Sequence, residues 1–453
     1  MLSRLIFDEP VPSGRLAIIA HGRSITWEGL RQEANNVLNA HSALTKRRVG
    51  LLFGSDELSY AALAAFERLQ CDVFLLDAHL PLPEALNLAE KFKLGALLIK
   101  GAGHTEMVAH ELSCEERWSG NSTVTILTSG STGEPKAVRH SWNRISHPVR
   151  KTVGALRPPT WLLTYRPHLY AGLQVILQCF ADLGTLVLPD PETDPQAVAE
   201  LMLKASVQFV SATPSYWRRL LLFAERDLLS KIPITQITLG GEVVDQPILD
   251  RLRSLYPSAR LVHIYATTEM GRCFSVADGL AGLPSNYLNS ALADGTEMRV
   301  VEGELVVRTP NSMYGYDPLS KQLGSTSDWF GTDWFGTGDL IELREGRAYF
   351  VGRKSEMINV AGNKVYPVEI ERTIRDIPGV IDVRVFGKAS SIAGELVACE
   401  IVPHEGQDHS TLKDLIARTC RNTLTGPQQP RSIRFVKQID LSAAGKMTRT
   451  KVS

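Results

Sequence analysis

From Arg48 to Ser211 short apolar runs alternate with longer amphipathic stretches. VGLLF (49–53) is followed by the helix-patterned YAALAAFERL (60–69), then VFLL (73–76), EALNLAEKF (84–92), ALLI (96–99), TVTILT (123–128), TLVL (185–188), AVAELMLKA (197–205) and QFVS (208–211). Short runs without polar alternation suit strands covered on both faces, and a helical segment between them is the connection that parallel neighbours require. The rhythm predicts an α/β fold of βαβ units, with a sheet that is either large or present in two copies.

After Tyr265 the pattern changes. EMRVV (297–301), ELVVR (304–308), LIELR (340–344) and AYFV (348–351) are short strands separated by Glu-Gly pairs, the signature of hairpins in a small β subdomain. Beyond Gly352 a fresh α+β pattern begins: helical VEIERTIRDI (368–377), strands VIDVRVF (380–386) and ELVACEIV (395–402), and helical TLKDLIARTC (411–420). The expected division is a large N-terminal lobe, 1–354, and a small C-terminal domain, 355–453.

Composition sets limits on partners. Of 453 residues, 44% are apolar, enough for a sizeable core, and Lys plus Arg (49) equals Asp plus Glu (49). A net charge of zero gives no global field that favours nucleic acid or an anionic membrane. The cluster Lys46-Arg47-Arg48 reads as a solvated loop before a strand. Six cysteines without CxxC spacing suit a reducing compartment, and no window approaches the roughly 18 apolar residues of a membrane span. The N-terminus lacks signal-peptide character, so a cytoplasmic protein is expected.

The strongest local motif runs Thr128-Ser129-Gly130-Ser131-Thr132-Gly133-Glu134-Pro135-Lys136, directly after the apolar TVTILT. So little side-chain bulk lets backbone N–H groups turn inward as an anion nest, to which hydroxyls and one lysine add donors. A flexible Ser/Gly linker would not ordinarily follow a buried strand and end in Pro-Lys. No Walker A loop occurs; near Gly445-Lys446, Asp440 stands where the first glycine should be.

The loop resembles the phosphate loop of the AMP-forming acyl-adenylate superfamily, which contains acyl- and aryl-CoA ligases, nonribosomal peptide adenylation domains and luciferases. Further segments are similar to that superfamily's motifs in the expected order. LGGE (239–242), with Gly240, Gly241 and Glu242, resembles the segment whose backbone borders the adenine. Tyr265-Ala-Thr-Thr-Glu269 resembles the Tyr-Gly-x-Thr-Glu motif, which implies Tyr265 stacking on adenine, Thr268 donating to the α-phosphate and Glu269 holding Mg²⁺. Asp339 of GTGD (336–339) matches the ribose-binding aspartate, Arg353 a second ribose or phosphate contact, and Ser355 the hinge. GRKSEMINVAGNKVYPVEIE (352–371) is similar to the inter-domain segment, with Gly362 placed where the pantetheine arm of the thiol passes. LSAAGKMTR (441–449) resembles the motif of the mobile catalytic lysine and nominates Lys446.

The acyl pocket is expected around YRPHLYAGLQ (165–174), SATPSYW (211–217) and LGGE. The first segment has no aspartate for an α-ammonium group, so an ordinary amino acid would bury an unpaired charge. His168, four residues before Gly172, either gates the carboxylate or is a packed ring. The resemblance implies a ligase that uses ATP and Mg²⁺ to convert a small-molecule carboxylic acid to its adenylate, with catalysis by Thr132, Glu269-bound Mg²⁺ and Lys446, and then to a thioester of coenzyme A. A carrier-protein phosphopantetheine is an alternative acceptor. A non-enzymatic nucleotide-binding relative is a remote one, and it predicts loss of Lys446 or Glu269, both of which are present.

Overall fold

A computed structural model of the chain describes residues 1–20, 22–101, 106–114, 117–129, 135–151, 158–190, 193–320, 329–330, 333–390 and 393–439. Two compact units result, Met1–Gly279 with Thr309–Thr326, and Leu280–Arg308 with Ser327–Ser453. The boundary expected at 354/355 falls inside the second unit, at the single helical turn Lys354–Glu356 that separates two of its sheets.

The first unit holds two sheets, so the βαβ rhythm is present in two copies. In the seven-stranded sheet, Arg48–Phe53 lies between Asp72–Asp77 and Ala96–Lys100, and Asp72–Asp77 pairs with Thr123–Ser129, all in parallel. Its antiparallel additions, Met107–Glu111, Pro135–Ser141 and Gly315–Tyr316, were not foreseen from the sequence. In the eight-stranded sheet Leu16–Ala20, Thr185–Leu188, Thr160–Leu163, Phe209–Ala212, Gln236–Gly240 and Arg260–Thr267 run parallel, with Arg23–Thr26 and Gly271–Val276 as antiparallel edges.

The helix Glu57–Arg68 explains why the two sheets share a core. Asp56 caps it by accepting from the Ser59 N–H, and every residue from Leu58 to Glu67 is buried. Ala61, Ala62, Ala64 and Ala65 let neighbours approach closely, while Tyr60 sets its ring edge-on to Phe53 at 5.5 Å and to Phe180 at 6.1 Å. One apolar cluster therefore takes Val49, Leu51 and Val73 from one sheet and Ile18, Leu163 and Leu186 from the other.

In the second unit, Glu297–Val301, Glu304–Arg308, Trp334–Arg344 and Arg347–Arg353 form an antiparallel sheet. Its Glu-Gly turns have the left-handed geometry that two-residue hairpins demand, φ +49° and +81° at Glu302-Gly303 and +47° and +74° at Glu345-Gly346. A five-stranded sheet centred on Val380–Ser390 and Gly394–Pro403 follows, and its apolar face is covered by Pro367–Arg375 and His409–Thr423.

One surface assignment is overturned. Arg48 opens a buried strand and pairs with Asp72 and Asp317, both fully buried, so the Lys46-Arg47-Arg48 cluster is not simply a solvated loop.

Candidate active site

The two ends of the phosphate motif, Thr128-Ser129 and Pro135-Lys136, lie on paired antiparallel strands. Thr123–Ser129 turns back as Pro135–Ser141, with Thr128 opposite Lys136 and Ser129 opposite Pro135. Gly130, Ser131, Thr132, Gly133 and Glu134 lie outside the described residues. The stem is anchored by Asp72, whose Oδ1 accepts from Thr123 Oγ1 at 2.5 Å and Thr125 Oγ1 at 3.3 Å. Arg48 joins Asp72 (3.1 Å) to Asp317 (2.5 Å), and Arg139 of the returning strand also pairs with Asp317. Two guanidinium groups against two carboxylates leave this buried quartet neutral.

The second wall is the turn between Arg260–Thr267 and Gly271–Val276, closed by the Met270 N–H to Thr267 Oγ1 at 3.0 Å. Tyr265, half-buried, stacks one ring face on Phe274 at 5.5 Å and 20°. Glu269 is held twice: its carbonyl accepts from the Met313 N–H at 2.5 Å, and its Oε1 accepts from Tyr316 Oη at 3.3 Å. Lys136 Nζ lies 5.3 Å from the centre of the Tyr316 ring. Tyr316 thus touches both the lysine of the phosphate motif and the carboxylate of the Tyr-x-x-Thr-Glu motif, a link that sequence reading missed. His140 was missed as well; its Nε2 donates to the Thr268 carbonyl at 2.7 Å. Burial pulls that imidazole down to about 4, against the upward pull of the carbonyl, so it is neutral at pH 7.

LGGE ends the strand Gln236–Gly240. The Gly240 carbonyl accepts from Tyr165 Oη at 3.2 Å, and Gly241 has φ +84°, which suits glycine. Glu242 accepts from the Ser215 N–H at 3.0 Å, so its side chain helps cap the helix Pro214–Phe223 alongside Thr213.

Gly172 and His168 sit at the start of the helix Tyr170–Ala181. A Cβ at Gly172 would stand 2.1 Å from the Arg166 carbonyl oxygen, which makes glycine a packing requirement there. His168 is buried, with Nε2 3.9 Å from an Asp77 carboxylate oxygen. Burial pulls the ring down to about 4, outweighing the attraction of Asp77. Burial also raises Asp77, but the His79 N–H and the His168 and Arg166 charges outweigh it and leave that carboxyl below its usual range.

In the second unit Asp339 and Arg353 are directly opposite across two paired strands. Arg353 Nε donates to Asp339 Oδ1 at 2.7 Å and Nη2 to Oδ2 at 3.4 Å, so two residues nominated separately form one fork. Gly338, φ +74°, donates its N–H to Glu304, which also pairs with Lys354 at 2.5 Å. Ser355 is exposed in the following turn. Gly362 and Ala361 make the tight turn between Ile358–Val360 and Asn363–Val365, at φ +86° and +49°. Among the described residues nothing lies within 4 Å of where a Gly362 Cβ would be, so φ rather than crowding explains this glycine. Lys446 lies outside the described residues.

Among the described residues no group of three His, Cys, Asp or Glu side chains could hold a metal by itself. A single carboxylate such as Glu269 fits Mg²⁺, which takes one or two protein carboxylates and fills its shell with substrate phosphates and water.

The sequence pattern of the AMP-binding enzyme family matches residues 104–317, and that of the AMP-binding enzyme C-terminal domain matches 369–446, together well over half the chain. The chain belongs to the AMP-forming acyl-adenylate superfamily. A superfamily relative, the 2-succinylbenzoate–CoA ligase of Listeria innocua serovar 6a, is 24% identical over 97% of this chain and 96% of its own length. The long-chain-fatty-acid–CoA ligase of Escherichia coli O157:H7 is 30% identical over 71% of this chain and 59% of its own. Among solved structures, ATP-bound MatB from Rhodopseudomonas palustris matches in fold with a TM-score of 0.78 at 20% identity, covering 98% of this chain and 96% of that one. The phosphate hairpin and the Glu269 turn both lie in the first matched region, and the Pro367–Arg375 helix opens near the start of the second.

Proposed function

We propose that the chain is an AMP-forming carboxylate–CoA ligase, acting on a carboxylic acid in two steps on one site. The observation that carries this reading is the convergence of Lys136 and Glu269 on Tyr316, a lysine for phosphate oxygens beside a carboxylate suited to Mg²⁺. In the first step a carboxylate oxygen bonds to the α-phosphorus of ATP and the bond to pyrophosphate breaks. The acid is already ionised at pH 7, so alignment and charge neutralisation are the tasks left to the protein. Tyr265, backed by Phe274, offers the adenine its opposite face; Thr268 donates to the α-phosphate; Thr132 and Lys136 hold the leaving phosphates. Mg²⁺, when bound at Glu269, neutralises phosphate charge. Asp339, oriented by Arg353, is assigned to the ribose hydroxyls, and Lys446 to the charge that develops at phosphorus.

In the second step the thiol sulfur of CoA attacks the acyl carbon and AMP leaves. We assign to 355–453 a rotation about Ser355 that withdraws Lys446 and brings the Gly362 turn to the adenylate. The CoA-ligase relatives support CoA as the acceptor, and cysteines scattered without CxxC spacing support a cytoplasmic setting. No helix among the described residues is long and apolar enough to cross a membrane.

ATP–pyrophosphate exchange measured across aryl and aliphatic acids, 2-succinylbenzoate and fatty acids included, tests the first step. Exchange that depends on one class of acid is the expected result. Exchange with none of them, in protein shown to be folded, would overturn the reading.

A further inference from the structure

The two walls of the nucleotide site belong to different sheets. The phosphate hairpin lies in the seven-stranded sheet, the Thr268–Glu269 turn in the eight-stranded one. Adenylyl transfer needs both walls at one fixed spacing, because misplacement by an ångström costs on the order of a hundredfold in rate. Part of that spacing is set through an intermediary: the Met313 N–H binds the Glu269 carbonyl, while the adjacent Tyr314 N–H binds the Arg139 carbonyl at 2.7 Å. A more direct tie comes from the returning hairpin strand itself, where His140 reaches the Thr268 carbonyl.

We infer that His140 is a positioning residue for adenylation, fixing the Thr268–Glu269 turn against the strand that returns from the phosphate loop. This rests on the proposed function for the identity of the nucleotide. A carbonyl only accepts, so Nε2 carries the hydrogen and Nδ1 is bare. Among the described residues Nδ1 has no hydrogen-bond partner, although the ring is fully buried against Tyr170 with centroids 5.8 Å apart. A core position serving packing alone is better filled by an aliphatic side chain, since an unpaired buried nitrogen is destabilising. What the imidazole supplies over such a side chain is one short bond, and that bond ends on a residue assigned to the α-phosphate.

The test compares His140→Leu, which removes the donor, with His140→Gln, which keeps an N–H at similar reach, and His140→Asn, whose amide is too short. Mg·ATP affinity is read by calorimetry without acid, and KM values for ATP and for the acid are read from turnover. In His140→Leu and His140→Asn, Mg·ATP binding is expected to weaken on the order of tenfold. The KM for ATP rises with it, and the KM for the acid stays within about twofold. His140→Gln recovers most of the affinity. Equal weakening in Gln and Asn, or wild-type affinity in Leu, overturns the inference; if Leu does not fold, the Gln and Asn pair decides. Wild-type protein that binds Mg·ATP but shows no acid-dependent exchange would overturn the ligase reading alone, and the binding comparison would still judge His140.

Discussion

Lys446 carries the most demanding assignment of any single side chain, because the proposed scheme uses its cation in one half reaction and withdraws it in the other. Lys446→Ala is therefore expected to lower adenylate formation by at least about a hundredfold. Thioester formation from supplied acyl-adenylate should largely survive; equal loss in both halves, assayed separately, would make the lysine structural. Asp339→Asn weakens the fork with Arg353 and should raise the KM for ATP several-fold with little change in Tm, since Arg353 is half exposed. Most residues proposed for the site were nominated from the sequence, because each stands in a short motif whose chemistry is local. Tyr316 and His140 were not. Their roles come from contacts between residues far apart in the chain, His140 with Thr268 and Tyr316 with both Glu269 and Lys136, and no spacing rule records such contacts.

At the scale of elements, periodicity served well where it was strong. The strand 185–188, the hairpin strands 297–301 and 304–308, and the helices near 57–68 and 409–423 lie within a few residues of where the pattern puts them. The antiparallel return of the phosphate motif as Pro135–Ser141 was hidden, since PKAVRHS carries Lys, Arg and His in a strand that is half buried. What holds that strand is the Asp72, Asp317, Arg48 and Arg139 quartet. Asp317→Asn leaves two guanidinium groups facing one carboxylate and should cost about 3–5 kcal/mol, visible as a shifted midpoint in urea. Gly172 offers a second check on packing. Its Cβ would meet backbone rather than a movable side chain, so Gly172→Ala should destabilise by roughly 1–3 kcal/mol, and an unchanged Tm would contradict the geometry.

For the molecule as a whole, two buried imidazoles tie stability to pH. His140 and His168 are each held near 4, below the ordinary 6.5, so between those values the unfolded chain binds more protons. Stability is then fully present above about pH 6.5 and is lost as pH falls toward 4, by roughly 3 kcal/mol per ring. Urea midpoints across that window check the sign, and His168→Gln should flatten part of the slope. Net charge is zero, so neither nucleic acid nor an anionic surface is drawn to the chain by its overall field. Local chemistry has to supply specificity. The central claim is that this chemistry runs through an adenylate that CoA consumes, and the most direct measurement is pyrophosphate released per chain with the best acid, with and without CoA. The account predicts about one equivalent without CoA and continuous turnover with it; release that CoA does not accelerate would contradict it and point to a carrier-protein thiol as the acceptor.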